Sequence, residues 1–366
     1  MNSPIISAID VGTNSFHMVT AYVDDNGLLN IISRDKEIVR LGSSSGDMRY
    51  LQRDAIKRAV TTLRAYSKLA KNEKAQVRAV ATSAVREAKN KDEFIELIKR
   101  ETGVELEVVS GVEEARLISL GVIHALPILS KKCLIIDIGG GSTETIVTEN
   151  SEMLHLQSNK IGAIRLTKKY FDGVPANETS IAKCKNFIKG EWAQTLDKIK
   201  DVGFTACVGT SGTLTTLLSM AYLRKNEELP TVLNGLEVKA KHVLKVIEDI
   251  KSAASPQAIA QLKGMDQTRA DIIMAGALIV EVAIEVLGIK KFLISTYALR
   301  EGVFFDTVEK MQNLKQYHQL AKLRYKTVVG LAEKYGADMK HSEHILKLST
   351  KMFDELYEIH GRGDYE

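Results

Sequence analysis

Apolar residues fill positions 5–9, give way to Asp10-Val11-Gly12-Thr13-Asn14-Ser15, and resume over 16–23. This pattern predicts two strands joined by a tight polar turn. Asp24-Asp25-Asn26-Gly27 is a further turn signal, and 28–33 supplies the next strand. Ile56, Val60, Leu63 and Leu69 recur at helical spacing within 54–70, 77–81 is a short β run, and 91–100 reads as a charged helix closed by Gly103. A strand over 106–109 leads into Ser110-Gly111, after which 113–123 reads as a helix.

The pattern then restarts. An apolar run over 133–136 ends in Asp137-Ile138-Gly139-Gly140-Gly141-Ser142 and continues into Thr143-Glu144-Thr145-Ile146-Val147. Asp10 matches Asp137, Gly12 matches Gly139 and Ser15 matches Ser142. One supersecondary unit used twice predicts two lobes of similar topology. Further on, 204–208 is a strand, Gly209-Thr210-Ser211-Gly212-Thr213 a loop, and 214–223 a helix. A long apolar helix is predicted over 269–288 and a closing strand over 292–295. Beyond 309 the sequence turns helical, with amphipathic stretches over 314–335 and 342–360.

At 366 residues there is room for two domains and an appendage. A formal net charge of +4 is too small to indicate a nucleic-acid binder, although a local basic surface for a polyanion is compatible with it. Cys133, Cys184 and Cys207 lie far apart with no metal-ligand spacing, which argues against a disulfide framework or a zinc site. No apolar run approaches the ~18 residues of a membrane span, and 1–9 lacks a basic segment before its apolar residues, so a cytoplasmic location is expected.

The two Asp-x-Gly turns carry the strongest chemical signal. Glycines and small hydroxyl residues let backbone N–H groups approach a phosphate closely. Thr13, Asn14, Ser15, Ser142 and Thr143 add side-chain donors, while Asp10 and Asp137 are suited to an oxygen-ligated Mg²⁺. A ligand-free Asp-Gly hairpin is the bland alternative for either turn alone; the matched pair, with Gly139, Gly140 and Gly141 in series, argues against it. A dinucleotide fingerprint is excluded by context, since both loops lead into strands rather than helices. Glu113 and Glu114 open a helix, where capping accounts for one of them; the other is a candidate base, and spacing does not choose between them. Arg86 suits either a phosphate grip or a surface ion pair. The loop holding Gly209, Ser211, Gly212 and Thr213 precedes a helix and suits an anion.

In chain order, six motifs resemble the exopolyphosphatase/guanosine pentaphosphate phosphatase (Ppx/GppA) family. They are the stretch from Ala8 through Asp10 to Met18, Ala81-Thr82-Ser83-Ala84-Val85-Arg86, Ser110-Gly111-Val112-Glu113-Glu114-Ala115-Arg116, Asp137 through Glu144, Gly209 through Thr213, and Ala298-Leu299-Arg300-Glu301-Gly302. The resemblance spans roughly 5–310. It implies an α/β fold of two actin-like (RNase H-like) lobes, each a mixed five-stranded sheet flanked by helices, with a short C-terminal helical element. The expected division is 1–125 and 126–299, with 300–312 packing back on the first lobe, and 313–366 resembling the start of an HD-like domain.

It also implies a Mg²⁺-dependent hydrolase, optionally with a monovalent cation, that releases terminal orthophosphate from inorganic polyphosphate or guanosine pentaphosphate, with a part in the stringent response. Glu114 is carried over as the general base, Asp137 and Glu144 as acidic catalytic or metal positions, Asp10 as a metal ligand through water, and Arg86 as a phosphate contact. His17 is given a structural role. A homodimer is expected. His341 and His344 have no later His-Asp pair, so an HD metal site is not expected; 315–326, with four Lys/Arg and no acid, is either a polyphosphate path or a solvated face. A small-molecule kinase of the same superfamily and a non-catalytic polyphosphate or nucleotide sensor are the competing readings.

Overall fold

β1 (Ile6–Val11), β2 (Ser15–Val23) and β3 (Leu29–Ile38) form an antiparallel meander, as the alternation of apolar runs and turns predicts. α1 (Arg53–Asn72) then crosses over to β4 (Gln76–Ala81), parallel to β1, and α2 (Ser83–Glu87) and α3 (Lys91–Thr102) precede β5 (Leu106–Val108), parallel to β4. The first sheet therefore runs β3-β2-β1-β4-β5. The computed structural model describes residues 4–24, 29–42, 49–126, 128, 131–150, 152–172, 176–253, 255–311 and 338–356. The turn expected at 25–27, the helix expected over 314–335 and the basic stretch 315–326 lie outside the described residues.

α4 (Gly111–Ala125) leads into the second lobe, where the plan repeats. β6 (Cys133–Ile138), β7 (Thr143–Glu149) and β8 (Glu152–Asn159) form the meander; α5 (Ala163–Tyr170) and α6 (Glu178–Val202) precede β9 (Ala206–Thr210). After α7 (Ser211–Leu223) come β10 (Glu237–Lys239), α8 (Ala240–Ser252), α9 (Pro256–Ala260), a 3-10 turn over Gln267–Arg269, α10 (Ile273–Leu287) and β11 (Lys291–Ile294). The order β8-β7-β6-β9-β11 reproduces that of the first sheet, including its parallel and antiparallel senses. The second sheet is six-stranded rather than five-stranded, because β10 adds antiparallel to β11 at the edge. With three residues and a single buried apolar one, Val238, β10 is too short to show in the sequence pattern.

The repeat extends to register. Asp10 sits opposite His17 across the first hairpin, and Asp137 opposite Glu144 across the second. Residues directly opposite in an antiparallel pair project from the same face, so each turn presents a matched pair of polar side chains.

Three large apolar cores hold these layers. One packs β1, β2 and β4 against α1 and α3; another packs the second sheet against α6, α7, α8 and α10. The third lies between the sheets, where Leu117 and Ile118 of α4 meet Val303 and Phe304 of α11 (Leu299–Met311), with Ile6 and Ala8 on one side and Ile135 and Ile146 on the other. β6 is buried along its whole length because both faces are covered, which is why it reads as an unbroken apolar run. α6, 25 residues long, had no assignment from pattern, although Cys184, Ile188, Trp192 and Leu196 keep an i, i+4 spacing on its buried face. The chain divides into compact units at Met1–Val308 and Glu309–Glu366; α12 (Met339–Glu355) belongs to the second. The three cysteines are buried and free, and no described helix is long and apolar enough to cross a membrane.

Candidate active site

The two Asp turns line one cleft of about 290 Å³, together with Glu114 and Glu144. They also approach each other: a Cβ placed on Gly140 would stand 3.1 Å from the Thr13 side chain. In the first turn the Asn14 carbonyl accepts from Arg40 N (2.7 Å) and the Thr13 carbonyl from Gly42 N (3.0 Å). In the second, the start of α5 takes the Gly139 and Gly140 carbonyls through the amides of Ala163 and Ile164 (3.0 and 2.9 Å), and Arg165 Nε donates to the Gly141 carbonyl (2.8 Å). With these carbonyls engaged by α5, the Gly140 and Gly141 amides have no acceptor among the described residues. Such amides form a concavity suited to an anion.

Asp10, Glu114, Asp137 and Glu144 meet in this cleft, with Asp266 and Glu301 also in its lining. Ser211 Oγ donates to Asp137 Oδ2 (2.5 Å), Ser158 Oγ to Glu144 Oε1 (2.7 Å), and Arg86 Nη1 to Glu114 Oε2 (2.7 Å). Asp10 Oδ1 is buried without a partner, and so is the amide nitrogen Asn14 Nδ2. Burial and the neighbouring Glu114 and Asp137 hold the Asp10 carboxyl well above its ordinary value, and burial with Glu114 and Asp137 does the same to Glu144. Burial pushes Asp137 up to about 7, with the Ser211 hydrogen bond opposing. Glu114 is raised by burial and held back by Arg86. No three His, Cys, Asp or Glu among the described residues form a ready-made metal cage. The set instead fits a hard divalent cation that keeps water and phosphate oxygens among its ligands, the usual manner of Mg²⁺. An orphaned carboxylate oxygen and an orphaned amide donor facing one cleft suit a cation and an anion bound together.

Helix α4 separates the two adjacent glutamates. Ser110 caps it, accepting from Glu113 N (3.1 Å), and the Glu113 carboxylate turns to Arg116, whose Nε and Nη2 donate at 3.0 and 2.8 Å. Glu114 points into the cleft. Thr13, Asn14, Ser15, Gly139, Gly140, Gly141, Ser142, Ser211, Gly212 and Thr213 line the cleft as well. Three other residues singled out from the sequence do not. Arg86 Nη1 donates to the Val109 carbonyl (2.9 Å) and to Glu114, so this nitrogen serves the glutamate. Thr143 Oγ1 donates to the Ile161 carbonyl (2.5 Å). Gly209 lies within β9, where a Cβ would press on Leu214 and Leu218. The expected loop over 209–213 is the end of β9 followed directly by α7, and Ser211 takes φ +62° at that junction, a strained conformation for a residue with a side chain.

Of the cleft's cations, Arg269 from the 3-10 turn and Lys36 from β3 had no local signature, whereas Arg300 stands beside Glu301 in the Ala298–Gly302 motif, at the first turn of α11. Arg269 lies over Gly212, where a Cβ would overlap its guanidinium. Arg300 Nη1 donates to His17 Nδ1 (2.9 Å), and arginine has no acceptor. His17 therefore carries its proton on Nε2 and donates it to Ser15 Oγ (2.8 Å). Burial, then Arg300 and Lys36, lower the His17 pKa to about 3, so the ring is neutral and the Ser15 hydroxyl hydrogen is free for a ligand in the cleft. Ion pairs also join residues of the two lobes: Lys36–Asp266 (3.8 Å), Arg40–Asp271 (2.9 Å), and Glu87 with Arg165 (2.8 Å) and Lys160 (3.1 Å).

Comparison with known proteins agrees with this arrangement. The chain is 27% identical over 359 residues to the guanosine-5'-triphosphate,3'-diphosphate pyrophosphatase of Vibrio atlanticus, covering 97% of this chain and 68% of that one. It is 28% identical over 360 residues to the enzyme of the same name from Vibrio parahaemolyticus, with the same coverage. A crystal structure of an exopolyphosphatase from Cytophaga hutchinsonii superposes with a TM-score of 0.78 at 28% identity, covering 84% of this chain and 98% of that one. The Aquifex aeolicus member of the Ppx/GppA family gives 0.71 at 29% identity with the same coverage. Residues 20–311 match the family model described as the Ppx/GppA phosphatase family, and with this fold of two lobes of repeated sheet order the chain belongs to it.

Proposed function

We propose that this protein is a phosphohydrolase that removes the terminal orthophosphate from inorganic polyphosphate, guanosine pentaphosphate or both, with Mg²⁺ as cofactor. The observation that carries the proposal is the convergence of Asp10, Glu114, Asp137 and Glu144 with two glycine turns in one cleft, where Asp10 Oδ1 and Asn14 Nδ2 have no protein partner. Asp10, Asp137 and Glu144 would hold the metal, and bound there it would offset the charge of the phosphate oxygens. The Gly140 and Gly141 amides, Asn14 Nδ2 and the Ser15 hydroxyl would grip the terminal phosphates, with Arg269, Arg300 and Lys36 facing the charge that follows.

Glu114 has Oε2 tied to Arg86, which leaves Oε1 to orient a water. The water oxygen attacks the terminal phosphorus in line, Glu114 accepts its proton, and the bridging P–O bond breaks towards the shortened chain. Products are orthophosphate and a chain one unit shorter. Little covalent chemistry is needed in a loose phosphoryl-transfer transition state, so positioning and charge compensation carry the rate. The three buried free cysteines suit a reducing compartment, in keeping with a cytoplasmic enzyme; a homodimer is expected and is checked by light scattering.

The test is orthophosphate release by the purified chain with Mg²⁺ on long-chain polyphosphate, guanosine pentaphosphate and ATP. Release from either of the first two supports the reading. Release from none, or transfer from ATP to an acceptor, overturns it.

A further inference from the structure

A row of charges, buried at its centre and exposed at Glu107, takes no part in the chemistry above. Arg116 of α4 grips both oxygens of Glu113, and its Nη2 also donates to Asp306 Oδ1 of α11 (2.7 Å). Asp306 Oδ2 accepts from Arg78 Nη1 of β4 (2.5 Å), and Arg78 in turn holds Glu107 of β5 through Nε (3.0 Å) and Nη2 (3.3 Å). The Arg116 and Asp306 side chains are only 7% and 3% exposed. Burying charge in this way is a poor route to stability, since apolar side chains of similar volume usually serve as well or better.

Register is what the row supplies. α4 and α11 cross on glycine: a Cβ on Gly302 would overlap the Leu117 carbonyl oxygen, and one on Gly121 the Ala298 carbonyl oxygen. Around that crossing the packing of Leu117, Ile118, Val303 and Phe304 is apolar, and the Arg116–Asp306 pair adds a directional contact between the two helices. Both helices deliver cleft residues from their first turns, Glu114 from α4 and Arg300 and Glu301 from α11. We infer that Arg116 and Asp306 are positioning residues, which fix α4 against α11 so that Glu114 meets the attacking water at the terminal phosphate. This rests on the hydrolase reading with Glu114 as base. Misplacement of a catalytic group by about 1 Å costs about a hundredfold in rate.

The experiment compares the wild-type chain with Asp306→Asn and with the double variant Arg116→Met/Asp306→Leu, using Mg²⁺ and polyphosphate. The double variant replaces the central pair with apolar side chains but takes Arg116 from Glu113 and Asp306 from Arg78, which keeps Glu107, so it is expected to fold with a melting temperature below that of the wild type. Expected in both variants is a kcat lower by about 10- to 100-fold with KM within threefold, and a partial return of kcat in Asp306→Glu. A purely structural role would instead lower the folded fraction and leave kcat per folded molecule unchanged. A folded double variant with wild-type kcat overturns the inference, even if Asp306→Asn alone fails to fold. A wild-type chain that releases no orthophosphate removes the hydrolase reading itself, and this inference with it.

Discussion

Replacing Glu114 by Gln tests the chemistry at its centre. The substitution keeps the shape of the side chain and an oxygen to accept from Arg86 Nη1, which now lies 2.7 Å from Oε2. It removes the group that takes the proton. Loss of a general base costs about 10²- to 10⁴-fold, equivalent to about 3–5 kcal/mol on the barrier. Stability moves the other way. Burial raises the Glu114 pKa in the fold, so its ionised form is penalised relative to the unfolded chain. That penalty is absent below the unfolded pKa of about 4.3 and complete once pH exceeds the folded value. At pH 8 the Gln variant, freed also from the repulsion of Asp10 and Glu144, should melt at the same temperature or higher. Initial rates of orthophosphate release give kcat, and calorimetry on the inactive variant should show uncleaved polyphosphate bound. A folded variant retaining more than about a tenth of wild-type kcat would refute the role of Glu114.

Three further outcomes follow from the same geometry. Asp137 is raised from 3.8 to about 7, so without Mg²⁺ the protein should lose stability as pH rises from 4 to 7, by at most about 4 kcal/mol; Mg²⁺ should then raise the melting temperature more at pH 8 than at pH 5, and equal shifts at both would contradict a metal site built on Asp137. Gly302→Ala should cost about 3 kcal/mol in urea unfolding, the upper range for overpacking, because the added methyl meets the Leu117 carbonyl; a variant stabilised by its better helix former would show that α4 and α11 can separate freely. His17→Phe should raise KM for polyphosphate by about 10- to 100-fold, the worth of one hydrogen bond to a charged group, through the loss of the bond that orients Ser15; a KM unchanged in that variant would detach Ser15 from substrate binding.

Local chemistry was legible where it is written in adjacent residues. Asp10 and Asp137 end strands and precede glycine turns, so sequence alone placed both at a site, and the repeat foretold a shared sheet order. Spacing does not choose between Glu113 and Glu114, because neighbours on a helix point about 100° apart and only the docking of α4 decides which one faces the cleft; the choice of Glu114 came from the family resemblance. Arg269 and Lys36 are isolated cations in unremarkable stretches; they reach the cleft through a 3-10 turn and through the pairing of β3 with β2. Arg86 follows β4 as expected, and its Nη1 is engaged by Val109 and Glu114, a pairing that motif reading has no means to find.

The ion pairs that join the two lobes are unequal. Arg165 and Glu87 are both about 15% exposed, and Arg165 is anchored further by the Gly141 carbonyl. Lys36–Asp266 and Arg40–Asp271 have partners between 34% and 42% exposed, the kind of surface pair worth at most about 1 kcal/mol. Ionic strength therefore acts on these links selectively: added salt screens the exposed Lys36 and Arg40 pairs first and leaves the sheltered Arg165–Glu87 contact largely in place.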